Sequence, residues 1–231
     1  MKEKFSKRIL SMFIAAVFCL TTFAVTGFSV DKAYAEEYEY EFPDTTYVVL
    51  YPKDASKSKT WLPDDWWVDI DMETVTYSKE GIAELVKHAD IDEDDGTVGY
   101  YYHLQGLKVG TTVLTFQVRL GEGPWEEKTM TVNVVKYVNP FKTLKVGKKS
   151  YVKKFNSKVE YKTSKKVSGK LVITPKKGWQ LIELRKYIHK KSQYVNIKNK
   201  KKVKLAKKDD LQIRLWKKGT DIVITYTLTR K

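Results

Sequence analysis

The stretch that decides the fold is GLKVGTTVLTFQVRLGEGPWEEKTMTVNVVKY, residues 106–137. Over residues 112–120 mostly apolar positions alternate with mostly polar ones, which is the period-2 pattern of a half-buried strand. Residues 121–124 then supply two glycines and a proline, which interrupt a strand and favour a tight turn. The alternation returns over residues 129–134. The stretch therefore predicts a β-hairpin with one buried face and one solvated face.

The same residues carry a family resemblance. The chain reads GLKVGTTVLTF over 106–116 and TVNV over 131–134. This resembles the C-terminal signature of bacterial Ig-like domains of group 2, a Gly-x-x-x-Gly-x-Thr-x-Leu-Thr-x segment followed by a Val-x-Val strand. The resemblance implies that the hairpin closes an immunoglobulin-like β-sandwich. It also implies a secreted surface protein of a Gram-positive-type bacterium.

A secretory signal peptide is predicted over residues 1–35. Basic residues precede a largely apolar run over 9–30, and Ala33-Tyr34-Ala35 supplies a small-x-small cleavage site. The alternative is an uncleaved membrane anchor, because the run approaches the ~20 residues that span a bilayer. Cys19, the single cysteine, lies inside this run, so the exported chain is expected to lack disulfides.

Charge predicts where one domain ends and the next begins. A chain of 231 residues fits one or two domains. Residues 36–137 carry 9 basic and 21 acidic side chains, a net charge of −12, whereas residues 138–231 carry 29 and 5, a net charge of +24. The sign changes beside Pro140, which interrupts a strand. We therefore predict an all-β protein in which two tandem immunoglobulin-like β-sandwich domains, one acidic over 36–137 and one lysine-rich over 138–231, follow the signal peptide.

Short alternating segments separated by turn residues fill both domains, as in a β-sandwich. In the first domain residues 78–89 are ambiguous, because Ile82, Leu85 and Val86 have helical spacing whereas the family resemblance implies a strand. In the second domain the pattern predicts strands at 144–146, 159–163, 170–174, 179–184, 193–197, 203–205, 211–216 and 222–229.

The end of the second domain repeats the pattern of the first hairpin. The segment LQIRL at 211–215 matches FQVRL at 116–120, and the strand after each one alternates in the same way. Either an internal repeat or convergence of two closing hairpins explains this match.

Residues 90–96, DIDEDDG, resemble a calcium-binding loop, because carboxylates at alternate positions can converge on a hard cation. The register differs from that of a calcium loop, since the glycine comes one place late and Tyr101 stands where a bidentate Glu belongs. We therefore predict an acidic, solvated turn and no metal site, with a weak calcium site at Asp90–Asp95 as the open alternative.

Three tryptophans, Trp61, Trp66 and Trp67, form a candidate carbohydrate-binding platform beside Asp64 and Asp65. Flat aromatic faces and hydrogen-bonding carboxylates suit sugar rings, although core packing is the other interpretation of large aromatic side chains. Neighbouring side chains on a strand point to opposite faces. One of the two adjacent tryptophans is therefore expected at the surface or at an interface.

No catalytic pattern emerges from the sequence. His88, His103 and His189 are scattered and lack metal-ligand spacing or a nucleophile partner. The chain has neither a strand-elbow nucleophile motif nor a glycine-rich phosphate loop. We predict a non-enzymatic protein with no catalytic residues and no cofactor.

Lysine clusters give the sharpest functional signal. They fall mostly where turns or strand edges are predicted, and lysines at edges also protect against aggregation. That role does not account for a net charge of +24, which destabilises a compact domain through self-repulsion unless anions offset it. The candidate anion-binding residues are Lys148, Lys149, Lys153, Lys154, Lys165, Lys166, Lys176, Lys177, Lys190, Lys191, Lys200, Lys201, Lys202, Lys207 and Lys208.

These patterns together predict a secreted, cell-envelope-associated binding or adhesion protein. Its basic domain is expected to dock to an anionic cell-wall or host polymer, or to an acidic protein. Lysine outnumbers arginine, which favours diffuse charge attraction over geometry-specific phosphate recognition, so no specific nucleic acid is expected. Membrane contact is expected only through an uncleaved signal segment. A carbohydrate-binding module and a structural spacer without ligand are the alternatives.

Overall fold

The computed structural model describes residues 42–62, 68–91 and 98–231. Strands β1 to β7 are Thr45–Leu50, Lys59–Trp61, Val68–Tyr77, Ala83–Ile91, Val98–Gly106, Gly110–Leu120 and Glu126–Lys136. Strands β8 to β16 are Phe141–Val146, Lys149–Ser150, Glu160–Thr163, Val167–Pro175, Trp179–Ile188, Gln193–Asn196, Lys202–Leu205, Asp210–Lys217 and Val223–Arg230. Three 3-10 turns are Ala55–Lys57, Val152–Phe155 and His189–Lys191. None of the described helices is long and apolar enough to cross a membrane. The predicted signal peptide lies outside the described residues.

Strands β1 to β7 form the first sandwich. One sheet has the order β1-β7-β6-β3 and the other has the order β2-β5-β4. If the strands are lettered A to G in chain order, C, F and G share one sheet and B, E and D share the other, which is the immunoglobulin arrangement. Strand β1 runs parallel to β7 and extends the first sheet. The strand order confirms the predicted immunoglobulin-like fold.

The predicted hairpin is confirmed as β6 and β7, paired from Gly110 opposite Val134 to Val118 opposite Glu126. The structure also explains two glycines of the signature. A Cβ at Gly106 would lie 2.9 Å from a methyl of Val48, and a Cβ at Gly110 would lie 2.8 Å from one of Ile82. Core side chains therefore leave little room for a Cβ at either position, although the end of Ile82 is flexible.

The ambiguous segment 78–89 contributes to a strand, not a helix. Residues Ala83–Ile91 pair with β5 along their whole length, from Ala83 opposite Gly106 to Ile91 opposite Val98. Ile82 and Leu85 are both buried. Pairing with a neighbouring strand therefore overrides the helical spacing, which short apolar runs share with strands.

Strands β8 to β16 form the second sandwich, with sheets in the order β10-β16-β15-β12-β13 and β14-β11-β8-β9. All eight predicted strands are present, and only the two-residue β9 was not predicted. Strand β10 runs parallel to β16 as β1 does to β7. The matching segments at 116–120 and 211–215 occupy equivalent strands, β6 and β15, each between the last strand and a partner in the same sheet.

Each sandwich has an aromatic and aliphatic core. In the second, Phe141 and Phe155 lie 4.8 Å and 5.5 Å from Tyr226 between ring centroids. In the first, Phe116 and Leu104 are fully enclosed. Every strand pair in the described residues joins strands of the same sandwich.

Residues 42–231 nevertheless form one compact unit, because the sandwiches share a junction. Tyr47 and Val49 on β1, and Tyr51 directly after it, pack against the core of the second sandwich. Asp221, in the β15–β16 turn, accepts hydrogen bonds from the Thr46 hydroxyl at 2.7 Å and from the Tyr47 amide at 3.2 Å. Burial at this junction raises the pKa of Tyr137, at the end of the first sandwich, to about 12.

Candidate anion-binding surface

Four lysine-bearing connections meet at one end of the second sandwich. Strands of an antiparallel sandwich reverse direction at each turn, so alternate connections fall at the same end. The turns β8–β9, β10–β11, β12–β13 and β14–β15 lie together at the end where β16 stops. We call this surface the basic end. It contains Lys148, Lys149, Lys165, Lys166, Lys190, Lys191, Lys207 and Lys208, with Lys231 beside them.

Hydrogen bonds between the connections fix the basic end. The Lys149 Nζ donates to the Lys166 carbonyl at 3.2 Å, which joins two of the turns. The Lys208 amide donates to the Arg230 carbonyl at 2.6 Å, and the Lys231 amide donates to the Thr163 carbonyl at 2.8 Å. The lysine-bearing backbone is therefore ordered in advance of any ligand, which reduces the entropy cost of binding.

The buried carboxylate of Asp209 stabilises the basic end. Asp209 is only 1% exposed, and its side chain accepts from the His189 amide at 3.1 Å and forms an ion pair with Lys186 at 2.7 Å. Burial acts to raise the pKa of Asp209, but the hydrogen bonds from Lys186 and from two backbone amides outweigh it and hold the pKa below its usual value. Asp209 therefore stays ionised and joins the β12–β13 and β14–β15 connections.

The eight lysines at the basic end remain exposed, and none of them forms an ion pair with any residue of 42–62, 68–91 or 98–231. Asp210, beside this end, forms no ion pair with the described residues, and two carboxylates on neighbouring strands have other partners. Glu160 pairs with Lys57 of the first sandwich, and Glu183 pairs with Arg214 at 2.8 Å. Most of the positive charge at this end is thus free to attract anions.

The other predicted lysines do not join the basic end. Lys153 and Lys154 lie on a 3-10 turn, where Lys154 sits over the Tyr161 ring. Lys176 and Lys177 lie at the opposite end, where the Lys176 amide donates to the Pro140 carbonyl at 2.7 Å. The run 200–202 follows the side of β11. The fifteen candidates therefore divide among several surfaces, and only the basic end concentrates them.

An open groove of about 660 Å³ lies beside the basic end, along β10, β16, β15 and β12. Lys207 and Lys208 line it, and so do several residues that were not predicted as site residues: Glu160, Lys162, Tyr187, His189, Asp210, Thr227, Thr229, Arg230 and Lys231. Alternation along each strand marks these strand residues as outward-facing, but only the parallel pairing of β10 with β16 brings Lys162 beside Thr229. We call this feature the basic groove.

The predicted carbohydrate platform is described only in part, because Trp66 and Trp67 lie outside the described residues. Trp61 is 51% exposed. Its ring lies 5.4 Å from His88 and 5.1 Å from His103 between centroids, and the Lys59 Nζ lies 4.7 Å above it. Trp61 is therefore a surface aromatic, as a sugar platform requires.

The two histidines beneath Trp61 contact each other, which their spacing in sequence did not indicate. The β4–β5 register places His88 Nε2 2.7 Å from His103 Nδ1. Burial, together with the charges of His88 and Lys59, lowers the pKa of His103. His103 is therefore held neutral more strongly than an exposed histidine.

The predicted acidic turn at 90–96 lies mostly outside the described residues. Asp90 itself is exposed near the end of β4. Within 42–62, 68–91 and 98–231 no three His, Cys, Asp or Glu side chains are grouped closely enough to hold a metal ion. The open calcium alternative thus stays a prediction.

Comparisons with solved structures return distant neighbours. No family model and no curated protein matches the chain. Among solved structures, a mouse clustered protocadherin fragment, PcdhgC3 EC1-3, is 14% identical with a TM-score of 0.24, and the match covers 83% of this chain and 66% of that one. The N-terminal four Ig domains of Dscam1 isoform 4.4 are 10% identical with a TM-score of 0.23, and the match covers 82% and 51%. This chain thus spans less than two thirds of either structure.

Proposed function

We propose that this protein is an extracellular, non-catalytic binding protein that docks through its basic end onto an anionic surface polymer. The observation that carries the proposal is the gathering of eight exposed lysines, without ion-pair partners in the described residues, from four separate connections onto one ordered surface. The predicted export signal supports an extracellular location.

The electrostatics favour a long, flexible anion over a small rigid one. Residues 138–231 contain 26 lysines and 3 arginines. Lysine acts as a mobile point charge, whereas arginine forms the fixed bidentate pairs that read a particular phosphate or carboxylate. A polymer with repeated charges engages many lysines at once, and each weak attraction adds to the affinity. Cell-wall polymers and sulfated host glycans both have this chemistry.

The position of the basic end also suits docking. The first sandwich contacts the second through the β15–β16 turn and through the Lys57–Glu160 ion pair, and neither contact involves a lysine of the basic end. Its negative charge therefore leaves the basic end uncovered within the same molecule. The first sandwich is then free to extend from the polymer surface or to contact another protein.

A salt-titrated retention experiment on immobilised heparin and on purified anionic wall polymer tests the proposal. The test variant replaces Lys165, Lys166, Lys190 and Lys191 by Gln, and the control variant replaces Lys153, Lys154, Lys176 and Lys177 by Gln. Both variants lose four positive charges. We expect the test variant to elute at much lower salt than the control. Salt screens charges over about 8 Å at physiological ionic strength, so lysines away from the basic end contribute little to a polymer bound there. Equal elution of the two variants, or retention independent of salt, would contradict the proposal.

Carbohydrate binding by the first sandwich is a second candidate function, favoured by the exposed ring of Trp61. A flat aromatic face with adjacent hydrogen-bonding side chains suits a neutral sugar. This binding should be saturable, insensitive to salt and abolished by Trp61→Ala. A variant that binds neutral glycans like the unsubstituted chain would remove this candidate and leave the basic end unaffected.

A further inference from the structure

The basic groove has a mixed lining that a simple polyanion does not need. Lysines and Arg230 supply positive charge along the groove. Two carboxylates also line it, Asp210 and Glu160, of which Glu160 pairs with Lys57, together with the hydroxyls of Thr227 and Thr229. Carboxylates repel phosphate chains, but they accept strong hydrogen bonds from hydroxyl groups. The lining therefore fits a ligand that has both negative groups and hydroxyl donors.

An aromatic wall closes one side of the basic groove. Tyr187 lines the groove, and its ring lies 4.8 Å from Tyr194 and 6.4 Å from His189 between centroids. Arg185 lies 4.4 Å above the other aromatic ring, that of Tyr194, and its Nε donates to Gln212 at 2.9 Å. These contacts hold Tyr187 in place from behind. A rigid aromatic face beside polar groups is typical of a site for a flat, ring-containing ligand.

We infer that the basic groove binds an acidic polysaccharide, a chain of hydroxyl-bearing sugar rings with carboxylate or sulfate groups, and this inference rests on the proposed docking of the basic end to polyanions. The lysines attract the negative groups, Asp210 accepts hydrogen bonds from ring hydroxyls, and Tyr187 packs against a ring face. The groove then selects glycans from among the polymers that the basic end attracts.

The decisive experiment measures the affinity of the full chain for two probes, a heparin-derived octasaccharide and an inorganic polyphosphate of matched charge. Asp210→Asn removes a negative charge and weakens an acceptor. We expect it to raise polyphosphate affinity about twofold, because repulsion is relieved, and to lower octasaccharide affinity about fivefold, because a charge-assisted hydrogen bond is lost. Opposite signs for the two probes are the signature of a glycan groove.

Tyr187→Ala supplies the second measurement, with Tyr187→Phe as the matched control that keeps the ring. We expect the alanine variant to lose about tenfold in octasaccharide affinity with little change for polyphosphate, and the phenylalanine variant to retain binding. An unchanged melting temperature checks that each variant folds. If Tyr187→Ala lowers affinity for single-stranded DNA as much as for the octasaccharide, the groove recognises rings in general and the inference is overturned.

Failure of the groove and failure of the docking proposal give different results. If both probes bind in a salt-dependent manner and respond alike to Asp210→Asn and Tyr187→Ala, the groove inference is wrong and docking stands. If neither probe shows salt-dependent binding, the docking proposal itself is wrong, and the groove inference falls with it.

Discussion

Each sandwich has two sheets and a strand that runs parallel to its last strand, but the two sandwiches compensate their charges differently. In the first, Asp69 is surrounded, because Lys87 lies 3.0 Å away, Arg119 3.3 Å and the Tyr102 hydroxyl 3.0 Å. The Nζ of Lys87 also lies 3.7 Å above the Tyr100 ring, so its charge contacts both a carboxylate and an aromatic face. Lys87 and Arg119 thus neutralise a carboxylate of their own sandwich.

The second sandwich leaves most of its cations free. Lys186 neutralises Asp209 beneath the surface, while the eight lysines of the basic end remain without ion-pair partners in the described residues. The comparison shows that alternation of apolar residues specifies the shared fold, whereas the residues of the connections decide what each surface attracts.

The largest expected effect comes from replacing one closely packed glycine in each sandwich by alanine. In the second sandwich a Cβ at Gly169 would lie 2.6 Å from the Gly147 Cα, and the φ of Gly169 is 136°. In the first, a Cβ at Gly106 would meet side-chain methyls. We expect Gly169→Ala to cost about 3 kcal/mol or more and Gly106→Ala about 1–3 kcal/mol, because backbone yields less than a side chain. Urea unfolding measures both, and an equal or smaller loss for Gly169→Ala would contradict the comparison.

The sequence predicted the shared part of the fold well, because core alternation is a local signal. The hairpin at 106–137 and all eight strands of the second sandwich follow from it. The segment 78–89 was ambiguous, since its strand character depends on pairing with β5, which is a nonlocal contact. Strands could therefore be predicted from the sequence where the alternation was strict. Where the alternation was weaker, the sequence did not distinguish a strand from a helix.

The candidate sites were less predictable, because they depend on which connections meet. The lysine pairs at 165–166 and 190–191 could be assigned to turns, but the end of the sandwich that each turn occupies follows only from strand pairing. The approach of His88 to His103 depends on the β4–β5 register for the same reason. Sequence therefore supplied the chemistry of these residues, and topology supplied their neighbours.

A smaller effect tests whether the sandwiches unfold together. Asp221→Ala removes two hydrogen bonds between the second sandwich and β1 of the first. We expect a loss of about 1–2 kcal/mol in the free energy of unfolding and an uncoupling of the two transitions. Thr46→Val is the control, because it removes only the hydroxyl partner. Calorimetry with a single unchanged transition for Asp221→Ala would show that apolar packing alone joins the sandwiches.

Acidification should destabilise the two sandwiches over different pH ranges, because they contain different titratable groups with shifted pKa values. The pKa of His103 is lowered in the folded first sandwich, so the unfolded chain binds more protons and stability falls as the pH drops below the usual histidine value of about 6.5. The pKa of Asp209 is lowered in the second sandwich, so its contribution is complete above the usual aspartate value of about 3.9 and is lost only below it. Between pH 7 and pH 5 we therefore expect loss of protection mainly in the first sandwich.

Hydrogen exchange of the β5 amides, compared with that of the β15 amides, measures this difference across the pH range. His103→Gln should flatten the response of β5 between pH 7 and pH 5, because the titrating group is gone. Equal loss of protection in both strands over this range would contradict the assignment to His103.

The smallest effect distinguishes charge from fold within the second sandwich. Lys208 at the basic end and Lys200 beside β11 both have a φ of 67°, a left-handed conformation that costs a non-glycine residue about 1 kcal/mol. Glycine relieves this strain but loses more entropy on folding, so either substitution should raise stability by about 0.5 kcal/mol or less. Only Lys208→Gly should also lower affinity for heparin, by about twofold, because only Lys208 lies at the basic end. Thermal unfolding and heparin titration of the two variants measure both effects, and an equal loss of affinity from Lys200→Gly would mean that total charge, not the basic end, holds the polymer.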